Sequence, residues 1–342
     1  MRNSLPTYFN RHLLELLEHN QGHDRFNRVG HPRSISLFLL GSFAWPYIPI
    51  KYYFGNSVLR LFSQVGHSIT HLMTNEIAFL TCHQKETVVA PILKKQGFVV
   101  RLESSFDTDS LGTFTGETPR ALTQIQAALK KAQLATEITS CRYGLGSEGS
   151  FGPHPQVYLL PWNLEVLALW DRLEEHAIYA ILGTSETNYA SEKVSSLNDA
   201  MAFAAKSDFP SHALILGTPT DSFFTKGISK EAEFQDRVKA ALKTSPSVWL
   251  ETDMRAHMNP CRMRSIQHTT EKLSALLLSY CPQCHLPGYG LTELIKGAPC
   301  EICAAPTRLP RAEKWSCLKC DFTELHPLHA VGPAKNCDVC NP

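Results

Sequence analysis

Eight cysteines near the C-terminus constrain this chain more than any other feature. They form four C-x-x-C pairs, Cys281/Cys284, Cys300/Cys303, Cys317/Cys320 and Cys337/Cys340, separated by 15, 13 and 16 residues. Each pair sets two sulfurs on one tight turn. Two such turns close a tetrahedral site, so the four pairs predict two structural Zn²⁺ ions. Disulfides are the rival reading. Regular C-x-x-C spacing in a chain with no recognisable secretory signal favours zinc and a reducing, cytoplasmic setting. The order of pairing is not fixed by spacing: sequential pairing is preferred, with nested and crossed pairings open. Four thiolates leave no coordination position for water, so these sites read as structural and not catalytic.

The remainder of the chain is ordinary globular material. Of 342 residues 43% are hydrophobic and 19% charged, which excludes wholesale disorder. Lys plus Arg is 33 against 32 for Asp plus Glu, so there is no basic excess to announce nucleic-acid binding. With zinc, eight thiolates and two divalent ions shift the formal charge from +1 to −3. The most apolar stretch, Ile35 to Ile50, is interrupted by Pro46 and Pro49 and is short for a membrane span, so no transmembrane segment is expected.

Three regions are expected. Residues 1–72 carry seven Lys or Arg and three acids and show no legible chemistry; they read as an extension of uncertain status, with Met73 an alternative start. Residues 73–280 read as an α/β domain with a mixed sheet and a candidate catalytic site. Residues 281–342 are the double zinc-ribbon-like module. Within the second region, strands are expected at Ile77–Leu80 and Phe98–Leu102, a helix at Thr87–Lys95 and a helix at Ala121–Ala135. The segment Ser147–Pro155 (SEGSFGPHP) reads as a turn after a strand at Tyr143–Gly146. A hairpin is expected from Leu164–Asp171 and Ala177–Gly183, a strand at Ala213–Leu216 and a helix at Glu231–Lys243. Alternation of this kind indicates an α/β fold.

Three clusters could carry chemistry. Asp107, Asp109 and Glu117 share a glycine-bearing loop, and Glu148 sits between Gly146 and Gly149. Carboxylates at strand ends hold Mg²⁺ against phosphate, and glycine lets backbone approach an anion. Lys85, between a strand and a helix, and Arg120 are placed to meet phosphate. Lys130 and Lys131 read as solvated helix surface. The segment Glu251–Arg264 (ETDMRAHMNPCRMR) offers Arg255, His257 and Arg262 to an anionic substrate, with a salt-bridged linker helix as the plain alternative. His83 and His154 are candidate general bases.

These motifs also support two resemblances. HQKE (His83–Glu86), DTDSLGTFTGE (Asp107–Glu117), SEGSFGPHP, TDMRAHMNPCRM (Thr252–Met263) and CDVCNP (Cys337–Pro342) resemble those of a bacterial family described as a domain of unknown function. The likeness runs from Met73 to Pro342, with Gln84 where that family has Gly and Cys261 where it has Thr. It implies membership and no activity. A second, more distant likeness is to the inosine/xanthosine triphosphatase fold. It follows the order of the Lys85 turn, Gly116-Glu117, Lys131-Ala132, Glu148-Gly149 and the hairpin. That likeness implies a Mg²⁺-dependent nucleotide or phosphoanhydride hydrolase, with Glu148, Glu117, Asp107 and Asp109 at the metal and Lys85, Arg120, Arg255, His257 and Arg262 on substrate. The rival expectation is a module without turnover, whose zinc tail docks nucleic acid or protein.

Overall fold

The computed structural model describes residues 75–105 and 122–342. The extension, the apolar stretch Ile35–Ile50, and Asp107, Asp109, Glu117 and Arg120 lie outside the described residues.

The chain opens with β1 (Glu76–Leu80), α1 (Glu86–Lys94), β2 (Val99–Glu103), α2 (Gln124–Thr139) and β3 (Tyr143–Pro153). A hairpin follows, β4 (Pro161–Asp171) and β5 (His176–Thr184). These strands form one sheet in the order β2-β1-β3-β4-β5. β1 is parallel to both neighbours, and β3, β4 and β5 are antiparallel, so the sheet is mixed as expected. The period of two in β1 is visible in its packing. Ile77 and Phe79 join Leu145, Leu167 and Ile178 on one face, and Ala78 and Leu80 meet Ala135 on the other.

Helix α2 covers that second face and comes unusually close. A Cβ on Gly144 would lie 1.9 Å from the Ala132 carbonyl oxygen, and one on Gly146 2.0 Å from that of Ala128. These glycines therefore let a helix backbone rest directly on a strand. Thr123 starts α2 through a reciprocal capping box with Gln126.

A second sheet lies between β5 and the last long helix. It contains β6 (Ser191–Val194), β7 (Leu214–Leu216), β8 (Thr225–Ile228) and β9 (Val248–Thr252) in the order β6-β9-β7-β8, all antiparallel. Helices α3 (Leu197–Lys206) and α4 (Glu231–Thr244) pack on it through Phe203, Phe234 and Val238. The chain then returns through α5 (Pro260–Leu277), which packs with α1 against the first face of the larger sheet. Asn259 Oδ1 accepts the Arg262 N–H and Pro260 takes the first helical turn, so the Asn-Pro pair is a helix start.

One expectation fails here. SEGSFGP is not a turn; it is the second half of β3, paired residue for residue with β4 from Ser147↔Leu167 to Pro153↔Pro161. Four glycines disguised an eleven-residue strand. Among the described residues no helix is long and apolar enough to cross a membrane.

The tail folds as a three-stranded antiparallel meander, β10 (Tyr289–Lys296), β11 (Pro310–Cys317) and β12 (Thr323–Pro327).

Candidate functional site

The meander explains how the cysteines meet. Cys281 and Cys284 precede β10 and meet Cys317 and Cys320 at one end; Cys300 and Cys303 meet Cys337 and Cys340 at the other. Pairing is crossed and not sequential. The eight residues of β10 carry the chain about 26 Å at roughly 3.3 Å per residue, from one site to the other, and β11 carries it back. Alternate knuckles therefore share a site.

The clusters fit zinc. Sγ–Sγ distances are 3.6 Å for Cys281–Cys320 and Cys284–Cys317, and 3.6 Å for Cys303–Cys337. A tetrahedron with Zn–S bonds of roughly 2.3 Å requires about 3.8 Å between sulfurs, whereas a disulfide requires about 2.0 Å. Backbone N–H groups of Gln283, Ile302 and Lys319 donate to the first sulfur of their knuckles, as thiolate ligands need. His285, Ala304 and Asp321, each just after a second cysteine, take positive φ near 58° to close the turn. Two Cys₄ clusters compatible with two structural zinc ions are thus in place.

The second site lies in the larger sheet. The crossover through α1 leaves β1 on one face and the crossover through α2 returns on the other, with β1 between β2 and β3. The carboxyl ends of β1 and β3 are therefore a topological switch point, where open α/β sheets bind ligands. The sheet face under α5 changes character there. Leu145, Leu169 and Ile178 form an apolar row; further along come Ser147, then Gly149 opposite Glu165, then Phe151 opposite Asn163.

Lys85 turns back from the start of α1, and its Nζ donates to Ser147 Oγ at 2.7 Å with both residues buried. Burial, reinforced by Arg262 and Lys131, pulls the Lys85 ammonium down to about 7. Gln84 before it has φ of 57°, the left-handed region that favours glycine. The αL–αR pair Gln84–Lys85 orients successive N–H groups together at the helix start, a backbone nest for anions. Among the described residues the N–H groups of Gln84, Lys85 and Glu86 have no acceptor.

Three acids around Lys85 and the neighbouring 253–262 segment are each ion-paired. Glu148 Oε2 holds Lys131 Nζ at 2.7 Å, so Lys131 is a buried partner and not the solvated lysine expected; its neighbour Lys130 is the exposed one. Glu165 Oε1 holds Arg262 Nε at 2.8 Å, and Arg262 also donates to the Met254 carbonyl. Burial pushes the Glu165 carboxyl up, and Arg262 and Lys85 pull it back. Asp253, fully buried, accepts from Arg255 Nε and Nη2, a two-pronged pair along one guanidinium edge. Gly149 exists for the second pair: a Cβ there would lie 2.6 Å from both Arg262 and Glu165. It seats that ion pair on the sheet; Gly152 faces open space.

His83 and His257 stack with centroids 5.2 Å apart, joining the Lys85 turn to the TDMRAH segment. Burial, then the positive charge of Lys85 and His257, lowers His83 to about 3, and burial with Arg255 lowers His257. Both rings are neutral near pH 7. His154 Nδ1 accepts the N–H groups of Gln156 and Val157. Asp208, His212 and Cys261 also gather potential ligand atoms within 4.8 Å. His212 Nε2 accepts the Cys261 N–H at 3.2 Å and Nδ1 faces Ser211 Oγ at 3.0 Å, so that ring closes the first turn of α5.

Polar groups remain unused in the crevice. Thr81 Oγ1, Glu165 Oε2 and both amide atoms of Asn163 are buried and have no hydrogen-bond partner among the described residues. Buried polar groups are nearly always paired, so such a cluster marks a place where water or a ligand completes the set. Of the residues singled out in the sequence, Lys85, Glu148 and Arg262 converge here; Arg255 and His257 flank them. Ser147, Asn163, Glu165 and Lys131 were missed, although period two along SEGSFG would have placed Ser147 and Gly149 on one face.

No curated protein and no solved structure matches the chain, so the likeness to the inosine triphosphatase fold remains an expectation. A family model does match, over residues 131–342, covering β3 to the last knuckle and both cysteine clusters. The chain belongs to the family described as Domain of unknown function (DUF6671).

Proposed function

We propose that the switch-point crevice binds the phosphates of a small phosphorylated substrate and hydrolyses a phosphoanhydride bond, while the zinc tail serves as scaffold. The observation that carries this reading is the buried Lys85 beside unused N–H groups at a helix start, with the cations Lys131 and Arg262 near it. Cations and oriented N–H groups around one point are what phosphoryl transfer needs, because its transition state spreads negative charge over oxygen. Unpartnered Thr81 and Asn163 add hydrogen-bonding capacity for the rest of the ligand.

The role of Mg²⁺ rests on the loop carboxylates Asp107, Asp109 and Glu117, since Glu148 is engaged with Lys131. The test is phosphate and pyrophosphate release from normal and deaminated nucleoside triphosphates, with and without Mg²⁺, by the zinc-loaded chain. Mg²⁺-dependent release, lost in Glu117→Gln with the fold intact, supports the reading in its metal form. No release from any nucleotide contradicts the nucleotide form.

A second reading concerns the tail. Residues 281–342 hold six Lys or Arg and six Asp or Glu, so zinc-bound thiolates leave the tail negative and unsuited to nucleic acid. The second cluster instead presents Ile302 and Val339 at its knuckle tips, 72% and 69% exposed. These favour a protein surface as its partner. Salt-insensitive association with a protein would agree with this; steep salt-dependent RNA binding would contradict it.

A further inference from the structure

We propose that Ser147 is the nucleophile of this site and Lys85 its general base, so that hydrolysis proceeds through a phosphoserine. The inference rests on the reading of the crevice as a phosphate site, and deepens it.

The geometry supplies both partners. Lys85 Nζ and Ser147 Oγ are 2.7 Å apart, hydrogen-bonding distance for a proton transfer. Both side chains are buried, and the strand and the helix start fix them from opposite sides. A serine hydroxyl is a weak nucleophile until a neighbouring base can take its proton, and a desolvated lysine beside other cations is such a base. The groups facing Lys85 act in that direction overall. Arg262 from α5 and Lys131 from α2 disfavour the ammonium, Glu165 from β4 and Glu148 from β3 favour it, and burial outweighs both. His83 and His257, the ionisable rings at this turn, are neutral near pH 7 and add no charge of their own there. A lysine that served only to bind phosphate would gain from an exposed, fully charged setting. This one is held where its amine is available near neutral pH.

The step balances without a further reagent. Ser147 Oγ forms a bond to phosphorus as the bond from phosphorus to the leaving phosphate oxygen breaks. The hydroxyl proton passes to the neutral Lys85 amine, and the resulting ammonium gives a proton to the leaving oxygen. Water then cleaves the serine phosphate ester, releasing inorganic phosphate and restoring Ser147. Charge that builds on the phosphoryl oxygens faces the Gln84–Glu86 N–H groups and Arg262.

The test uses the full zinc-loaded chain with three phosphoryl donors: acetyl phosphate, inorganic pyrophosphate and adenosine triphosphate. After acid quench, peptide mass mapping reads the position of any added phosphoryl group. The expected result is one phosphoryl group on the Ser147 peptide, absent in Ser147→Ala. In Lys85→Met its rate of formation falls by about 100-fold or more. The adduct rate in the wild type rises with pH through an inflection near the Lys85 value. Lys85→Arg, which keeps charge and size but cannot act as base near neutral pH, should fail as Lys85→Met does if the chain folds with both zinc ions bound. An adduct elsewhere, no adduct from any donor, or full phosphate release by Ser147→Ala overturns the proposal. Calorimetry with pyrophosphate separates the two readings: binding without an adduct removes the nucleophile alone, and no binding removes the phosphate site as well.

Discussion

The switch-point crevice and the cysteine clusters both gather groups that water would otherwise solvate, and they treat them in opposite ways. At each cluster four sulfurs close on one point, and backbone N–H groups already serve those sulfurs. At the crevice, ion pairs satisfy the strongest charges, and Thr81, Asn163 and one oxygen of Glu165 have no partner among the described residues. The clusters differ from one another as well. The first is tied to the α/β part by Lys319 Nζ on the Glu174 carbonyl at 2.8 Å and by His176 Nε2 on the Pro287 carbonyl at 2.9 Å. The second ends in solvent at Ile302 and Val339.

The largest effect should come from the metal. Structural zinc is worth roughly 10–16 kcal/mol to small metallodomains. Chelation should therefore unfold the tail, and metal analysis should find two zinc ions per chain beforehand. Cys281→Ser should weaken α5 and the β4–β5 turn in hydrogen exchange, whereas Cys303→Ser should confine its effect to the tail. Equal effects of the two would break the distinction between a docked and a free cluster.

Next in size is the buried pair under α5. Removing one partner of a buried ion pair leaves an uncompensated charge, so Arg262→Met should cost about 3–5 kcal/mol in denaturant unfolding. Combining it with Glu165→Leu should recover much of that loss. Gly146→Ala, which would push a methyl against the α2 backbone, should cost about 1–3 kcal/mol.

Lys85 gives a smaller effect with a definite sign. Its folded value is about 7 and its ordinary value 10.5, so between those pH values the unfolded chain holds the extra proton. Stability should therefore rise with pH across that window, and Lys85→Met should abolish that contribution. Denaturant midpoints at several pH values check it. The smallest effect should be Ile302→Ser, within about 0.5 kcal/mol, because the side chain packs against nothing that folding requires.

Much of this was legible in the chain. Strands β1, β2, β4, β5 and β7 and helices α1 and α4 fell where apolar periodicity put them, to within a few residues. The eight cysteines announced two sites. Their pairing was not legible, because it depends on strand direction in the meander and not on spacing. The second half of β3 was hidden by Gly146, Gly149 and Gly152, which resemble turn residues until α2 and the Arg262–Glu165 pair are seen to need the room. Lys131 and Glu165 look like surface residues in isolation. Only the packing of α2 on β3, and of α5 on β4, supplies the partners that make their burial tolerable.

The central claim is that the crevice at the carboxyl ends of β1 and β3 takes phosphate through Lys85. Calorimetric titration of the full zinc-loaded chain with inorganic pyrophosphate near pH 7 tests it most directly, beside Lys85→Met with its two zinc ions retained. The account predicts binding to the wild type and loss of binding in the variant. Equal binding by the two proteins, or no binding by either, would contradict it.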